Sequence, residues 1–198
     1  MNRRRFLLLS LLVMLSQRGM AFFKVSPSDQ EGPFYPVVPI PLDADLVHHA
    51  NGAARGRHLE LKGRVINQQQ QPQSAVRVEI WQCDASGRYR HPWAPGSDRV
   101  DPHFAGFESV NTGSDGAYRF KTLIPVPYGG RPPHIHVKLF YANRELLTSQ
   151  LYLKGQVGQG GSCGARSGGL SGGSEPMVID PRSVGQNQWR AGFDVVIA

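Results

Sequence analysis

The chain has 198 residues, 40% of them hydrophobic, which suits one domain with a sizeable core and leaves little for a second. Residues 1–21 carry Arg3, Arg4, Arg5 and Arg18 and no acid; without these arginines the formal charge of +7 falls to +3, 18 basic residues against 15 acidic ones. So balanced a surface, with no basic stripe interleaved with aromatics, excludes nucleic acid as a partner, and two cysteines, Cys83 and Cys163, are too few for a disulfide scaffold.

In chain order, residues 1–21 read as an export signal: a cationic start, the apolar run from Phe6 to Leu15, then small residues near Ala21. A bilayer takes about 20 apolar residues to cross, so no stable membrane span is expected in the mature chain. Arg3-Arg4-Arg5-Phe6-Leu7 resembles the twin-arginine signal. That route exports folded proteins, and it makes the bacterial periplasm the expected destination.

Residues 22–56 contain Pro27, Pro33, Pro36, Pro39 and Pro41, which keep the chain extended and deny it a helix; an N-terminal arm laid over the core is predicted. Residues 57–198 are predicted to form an all-β domain, an antiparallel β-sandwich with irregular loops. Its strands are expected over Leu59 to Val65, Val76 to Cys83, Tyr118 to Leu123, His134 to Tyr141 and Leu146 to Leu153. Gln71-Pro72-Gln73, Ser114-Asp115-Gly116 and Ala142-Asn143-Arg144 supply turns between them. In Val76-Arg77-Val78-Glu79-Ile80 apolar and charged residues alternate, as a half-buried strand requires. Residues 155–174, nine of twenty of them glycine, cannot bury enough apolar surface to offset their chain entropy and read as a flexible Gly/Ser-rich insert. Trp189 to Ile197 is expected to return as a closing strand.

The chemistry concentrates in Arg131-Pro132-Pro133-His134-Ile135-His136. Alternate residues of a strand share a face, so His134 and His136 aim at one point while Ile135 faces the other way. Taken singly, the histidine pair has an equally good structural explanation, and Tyr128 and Tyr89 each read as loop or strand-end aromatics. Together they point to a hard, highly charged cation, because a phenol with an ordinary pKa of about 10 becomes a ligand only when such an ion removes its proton. Gly129 and Gly130 allow the sharp turn that returns Tyr128 to the histidine strand. Ferric iron meets the requirement: two phenolates and two neutral imidazoles offset most of its charge, and hard oxygen ligands disfavour thiolate-seeking metals.

Several segments in order resemble the intradiol ring-cleavage dioxygenases, the family of catechol and protocatechuate dioxygenases. They are Glu31-Gly32-Pro33-Phe34-Tyr35, Val78-Glu79-Ile80-Trp81-Gln82-Cys83-Asp84-Ala85, Gly87-Arg88-Tyr89-Arg90-His91, Tyr118-Arg119-Phe120-Lys121-Thr122, Pro125-Val126-Pro127-Tyr128, Arg131 to His136, and Ser149-Gln150-Leu151-Tyr152. The resemblance implies a nonhaem Fe(III) centre ligated by Tyr89, Tyr128, His134 and His136. It implies a catechol-type substrate that displaces Tyr128, and ring opening with O2 between the hydroxyl-bearing carbons to a cis,cis-muconate-type diacid. It further implies that Arg131 stabilises the anionic substrate, that Gln150 orients groups around it, and that Gly32 and Pro33 approach the substrate pocket. Glu108 departs from the family, which often carries a Gly-Arg pair in that region, and is expected to set an acid at the pocket edge.

His91 and His103 are not needed as ligands and, with His48, His49 and His58, are expected at the surface. The alternative function is a secreted, non-enzymatic β-sandwich binding protein with a vestigial metal site. The sequence leaves open whether the chain works alone or as a homo-oligomer.

Overall fold

The computed structural model describes residues 22–156 and 175–198. The expected export signal, and all of the expected insert beyond Gln156, lie outside the described residues. The described residues form ten strands, β1 (His58–Asn67), β2 (Val76–Trp81), β3 (Phe107–Asn111), β4 (Ala117–Leu123), β5 (His134–Tyr141), β6 (Arg144–Leu153), β7 (Met177–Ile179), β8 (Arg182–Gly185), β9 (Gln188–Gly192) and β10 (Val195–Ile197), with one short 3-10 turn at Ser97–Arg99. They build two five-stranded sheets, β10-β1-β9-β8 with β4 on β1, and β3-β2-β5-β6-β7. No helix among the described residues is long and apolar enough to cross a membrane.

The sandwich is all-β as expected and mostly antiparallel. Three pairings differ: β1 with β9, β1 with β10, and β6 with β7 are parallel. The expected closing strand is the source of two of them. It runs along β1 in two pieces, broken at Phe193 and Asp194, where the Asp194 carboxylate takes the Arg64 N–H at 2.8 Å in place of a strand carbonyl. The chain passes so close there that a Cβ on Gly63 would lie 1.8 Å from the Phe193 carbonyl oxygen.

Between the sheets lies one apolar core, with Leu59, Leu61, Val65, Phe120 and Leu123 from one sheet against Val78, Ile80, Ile135, Val137, Leu139 and Leu151 from the other. A second cluster, Trp81, Cys83, Tyr89 and Ala94 with Phe34, Tyr35, Phe107, Val126 and Tyr128, covers the opposite face of β2 and its neighbours. β5 is therefore buried on both faces, and its first six residues are all buried. The arm follows both sheets as an irregular strap: Ser26 N–H donates to Val196 O at 2.9 Å, Asp29 N–H to Thr148 O at 3.0 Å, and Leu46 N–H to Lys121 O at 2.8 Å.

Candidate active site

Period-two geometry sorts β5 into two chemistries. Ile135, Val137 and Leu139 enter the core between the sheets, while His134, His136 and Lys138 face the arm, buried with 1%, 1% and 7% of their surface exposed. Register then supplies their neighbours. Trp81 of β2 pairs with His136 and stacks on its ring, centroids 4.7 Å apart and planes within 8°. From β6, Tyr152 pairs with His134 and Gln150 with His136.

The two tyrosines arrive on turns. Gly129 and Gly130 adopt φ of 53° and 76°, conformations that cost an ordinary L residue about 1–2 kcal/mol. They allow Arg131 N–H to donate to Tyr128 O at 2.8 Å, which closes the loop beside the histidine strand. Tyr89 follows a turn organised by the buried Asp84, whose Oδ1 accepts the Ser86 and Arg88 N–H groups and whose Oδ2 accepts that of Asp101. Gly87 sits in that turn where a Cβ would meet the Tyr128 Cβ at 3.3 Å, so the two loops pack directly on each other.

The outcome is a closed circuit of four rings. Centroid separations are 4.9 Å for Tyr89–Tyr128, 5.4 Å for Tyr128–His134, 4.7 Å for His134–His136 and 6.1 Å for Tyr89–His136. His134 Nδ1–H donates to Pro132 O at 2.7 Å, which fixes the tautomer and leaves Nε2 as a lone pair. That lone pair faces His136 Nε2 at 3.2 Å. Burial, then the charge of Arg131, holds His134 down at about 4; burial and neighbouring cationic groups hold His136 well below the ordinary histidine value. Both imidazoles are thus neutral donors at neutral pH. Burial first, and the adjacent Tyr128 second, push the Tyr89 phenol well above its ordinary value, and its hydroxyl is buried without a hydrogen-bond partner.

These are the marks of a site shaped for a cation. A buried phenol oxygen without a partner is costly, and the two imidazoles have only each other's Nε2 to bond to, at 3.2 Å. One positive ion among the rings would give the Tyr89 oxygen a partner and take the imidazole lone pairs as well. No group of three His, Cys, Asp or Glu side chains able to hold a metal exists among the described residues, so an ion here would need the tyrosines as ligands.

Beside the rings, Arg131 Nη2 donates to Gln150 Oε1 at 2.7 Å, and Gln150 Nε2 donates to Gln30 O at 2.6 Å. The arm crosses the same face. Gly32 approaches so closely that a Cβ would lie 3.2 Å from His136 Cε1, Pro33 next to it is exposed, and the Phe34 ring lies 5.0 Å from that of Tyr89 and 6.4 Å from that of Tyr128.

Two expectations are corrected. His91 is buried, with 4% of its surface exposed, because its ring packs between Phe34 and Trp93. Glu108 does not edge the ring cluster: it pairs with Ile80, whose side chain enters the intersheet core, and so it is turned away from the site. The neighbours that sequence reasoning left without a role are Trp81, Asp29, Lys138 and Tyr152. Their signal was faint, since each depends on strand register or on the path of the arm. Cys83 is buried and free, its thiol pushed up to about 12 chiefly by burial, as suits a small apolar residue.

The family model described as Dioxygenase matches residues 30–158, a stretch that contains every one of the four rings. The protocatechuate 3,4-dioxygenase beta chain of Burkholderia cepacia is 37% identical over 150 residues, covering 70% of this chain and 63% of that one. Catechol 1,2-dioxygenase 2 of Acinetobacter lwoffii is 27% identical over 148 residues, 66% of this chain and 52% of that one. The chain thus spans between half and two thirds of the length of these curated relatives. Among solved structures, the dioxygenase domain of a dioxygenase carbohydrate-binding protein fusion from Streptomyces sp. SirexAA-E superposes with a TM-score of 0.67 at 27% identity, covering 87% of this chain and 97% of that one. The motif order, the two-sheet fold and the length of the match lead to one conclusion: the chain belongs to the intradiol ring-cleavage dioxygenase family.

Proposed function

We propose that the protein is a nonhaem ferric dioxygenase that opens a catechol-type ring between its two hydroxyl-bearing carbons with O2, giving a cis,cis-muconate-type diacid. The observation that carries the reading is the four-ring circuit, one of whose members is the buried, unpartnered Tyr89 phenol. Tyr89, Tyr128, His134 and His136 would hold the metal, and the hard oxygen pair suits Fe(III) over softer ions. When bound, ferric iron supplies the Lewis acidity that makes phenol and catechol oxygens anionic at neutral pH.

The remaining chemistry belongs to the chain. Tyr128 is the one of the four that is only half-buried, and two open glycines follow it. It would therefore be the side chain free to swing aside, and its phenol oxygen, deprotonated by a bound ion, would accept a proton from the incoming catechol. Arg131, held by Gln150, supplies fixed positive charge to the anionic ring. Gly32 leaves the space beside His136 that a side chain would fill, and the Phe34 ring packs beside those of Tyr89 and Tyr128. Residues 1–21 are proposed as a twin-arginine signal for export to the periplasm, on the strength of their sequence alone.

Iron-loaded protein incubated with catechol, protocatechuate and hydroxyquinol tests the reading. The expected outcome is oxygen-dependent muconate absorbance from at least one of them, and a visible tyrosinate-to-iron band that changes in Tyr128→Phe. His136→Ala is expected to lose iron; retained iron and turnover in that variant would refute the ligand set. A colourless, inactive iron-treated protein would favour the non-enzymatic alternative.

A further inference from the structure

The Arg131–Gln150 pair does not end at Gln150. Its amide orientation is dictated from both sides, since the oxygen accepts from Arg131 Nη2 at 2.7 Å and the nitrogen donates to Gln30 O at 2.6 Å. A flipped amide would set donor against donor and acceptor against acceptor. A third group reaches the same oxygen: the Tyr152 hydroxyl lies 2.9 Å from Gln150 Oε1 and 2.8 Å from Asp29 Oδ2. Tyr152 has one proton for two acceptors, so it donates to one oxygen at a time and its hydroxyl couples the arm carboxylate to the amide. Its ring stands 5.8 Å from that of His134, and it is buried, with 8% of its surface exposed. Asp29 belongs to the arm, where its own N–H is pinned to Thr148 O at 3.0 Å. A continuous chain of polar contacts thus runs from arm to strand to guanidinium: Asp29, Tyr152, Gln150, Arg131.

We propose that Asp29 and Tyr152 are positioning residues that act through Gln150 to fix Arg131, so that the guanidinium is set in place only when the arm is docked. The proposal rests on the reading of Arg131 as the group facing the substrate ring. Gln150 is fully buried and its amide is oriented by Arg131 and Gln30; the contact of Tyr152 with Oε1 adds the arm as a further constraint on the oxygen that holds the guanidinium. Docking of residues 29 and 30 supplies two of the contacts at once, the carboxylate on Tyr152 and the Gln30 carbonyl on the amide.

The test uses iron-loaded full chain with catechol-type substrate. In Tyr152→Phe, kcat is expected to fall about tenfold, with KM moving less than about twofold and the visible tyrosinate band in place. Because a buried substitution can cost folding, Asp29→Ala on the half-buried arm is the second variant, with the same expected fall, and Asp29→Asn, which keeps an oxygen acceptor, is expected to recover most of it. Adding Tyr152→Phe to Gln150→Ala is expected to cause no further loss. Independently of iron, the melting-temperature losses of metal-free Asp29→Ala and Tyr152→Phe are expected to be non-additive. Unchanged kcat in both single variants, or losses that multiply with Gln150→Ala, would overturn the proposal while leaving the metal centre intact. A wild-type protein with neither band nor turnover would overturn the reading beneath it as well.

Discussion

Gly32 shows how little space one residue leaves in this site. Its φ of +75° already penalises any side chain, and an added Cβ would stand 3.2 Å from His136 Cε1, tighter than ordinary van der Waals contact. The imidazole has little freedom to retreat, because Trp81 is stacked on it at 4.7 Å. Gly32→Ala is therefore expected to cost about 1–2 kcal/mol of stability from the backbone alone. It is also expected to displace His136, read as weaker iron retention on dialysis and an altered visible band; iron retention equal to wild type would show that the approach of the arm is not limiting. At this scale the sequence was informative where chemistry and spacing coincide. His134, His136, Tyr128 and Tyr89 could be singled out because alternation and a glycine turn bring them together without knowledge of distant partners. Trp81 against His136, and Tyr152 against Asp29, could not, since the first depends on the register of β2 with β5 and the second on an arm docked 123 residues away in sequence.

The arm is the element whose placement decides whether the site is complete. Lys138 fastens it: the buried ammonium pairs with Glu31 of the arm and with Glu145 at 3.1 Å, and it lies 4.5 Å from the Tyr35 ring centroid. Lys138→Met keeps the apolar stem and deletes the charge. It is expected to cost about 2 kcal/mol and to expose residues 27–36 to limited proteolysis at concentrations that leave wild type intact; equal cleavage rates would show that Tyr35 and its neighbours hold the arm without the ion pairs. Among the strands, β1, β2, β4, β5 and β6 were legible because their apolar residues alternate or run continuously. β3 was not, since Glu108 and Ser109 in Phe107-Glu108-Ser109-Val110-Asn111 read as polar loop, yet both are buried. β7 and β8 have three and four residues, and all of β8 is exposed, so no period could show. The parallel run of β9 and β10 along β1 joins segments some 130 residues apart, a pairing no local pattern encodes.

For the molecule as a whole, Glu108 ties stability to pH. Its carboxyl is turned toward the intersheet core, 6% of its surface is exposed, and Oε2 has no hydrogen-bond partner. Burial first, and the neighbouring acid Asp43 second, push it up to about 7 from an ordinary value of 4.5. Between those two values the folded chain keeps a proton that the unfolded chain has released. Stability from this group is therefore fully present below about pH 4.5, declines as pH rises, and is gone above about pH 7. Other groups titrate in the same range, including the neutral, buried His134 and His136, whose contribution runs in the opposite direction, so the total profile does not isolate Glu108. Subtracting wild type from Glu108→Gln does, because every other group cancels. The variant is expected to match wild type within about 0.5 kcal/mol at pH 4.5 and to be more stable by on the order of 2 kcal/mol at pH 8, measured by urea unfolding at each pH. A difference that is constant with pH would place the Glu108 carboxyl in contact with water or a cation and remove it from the core.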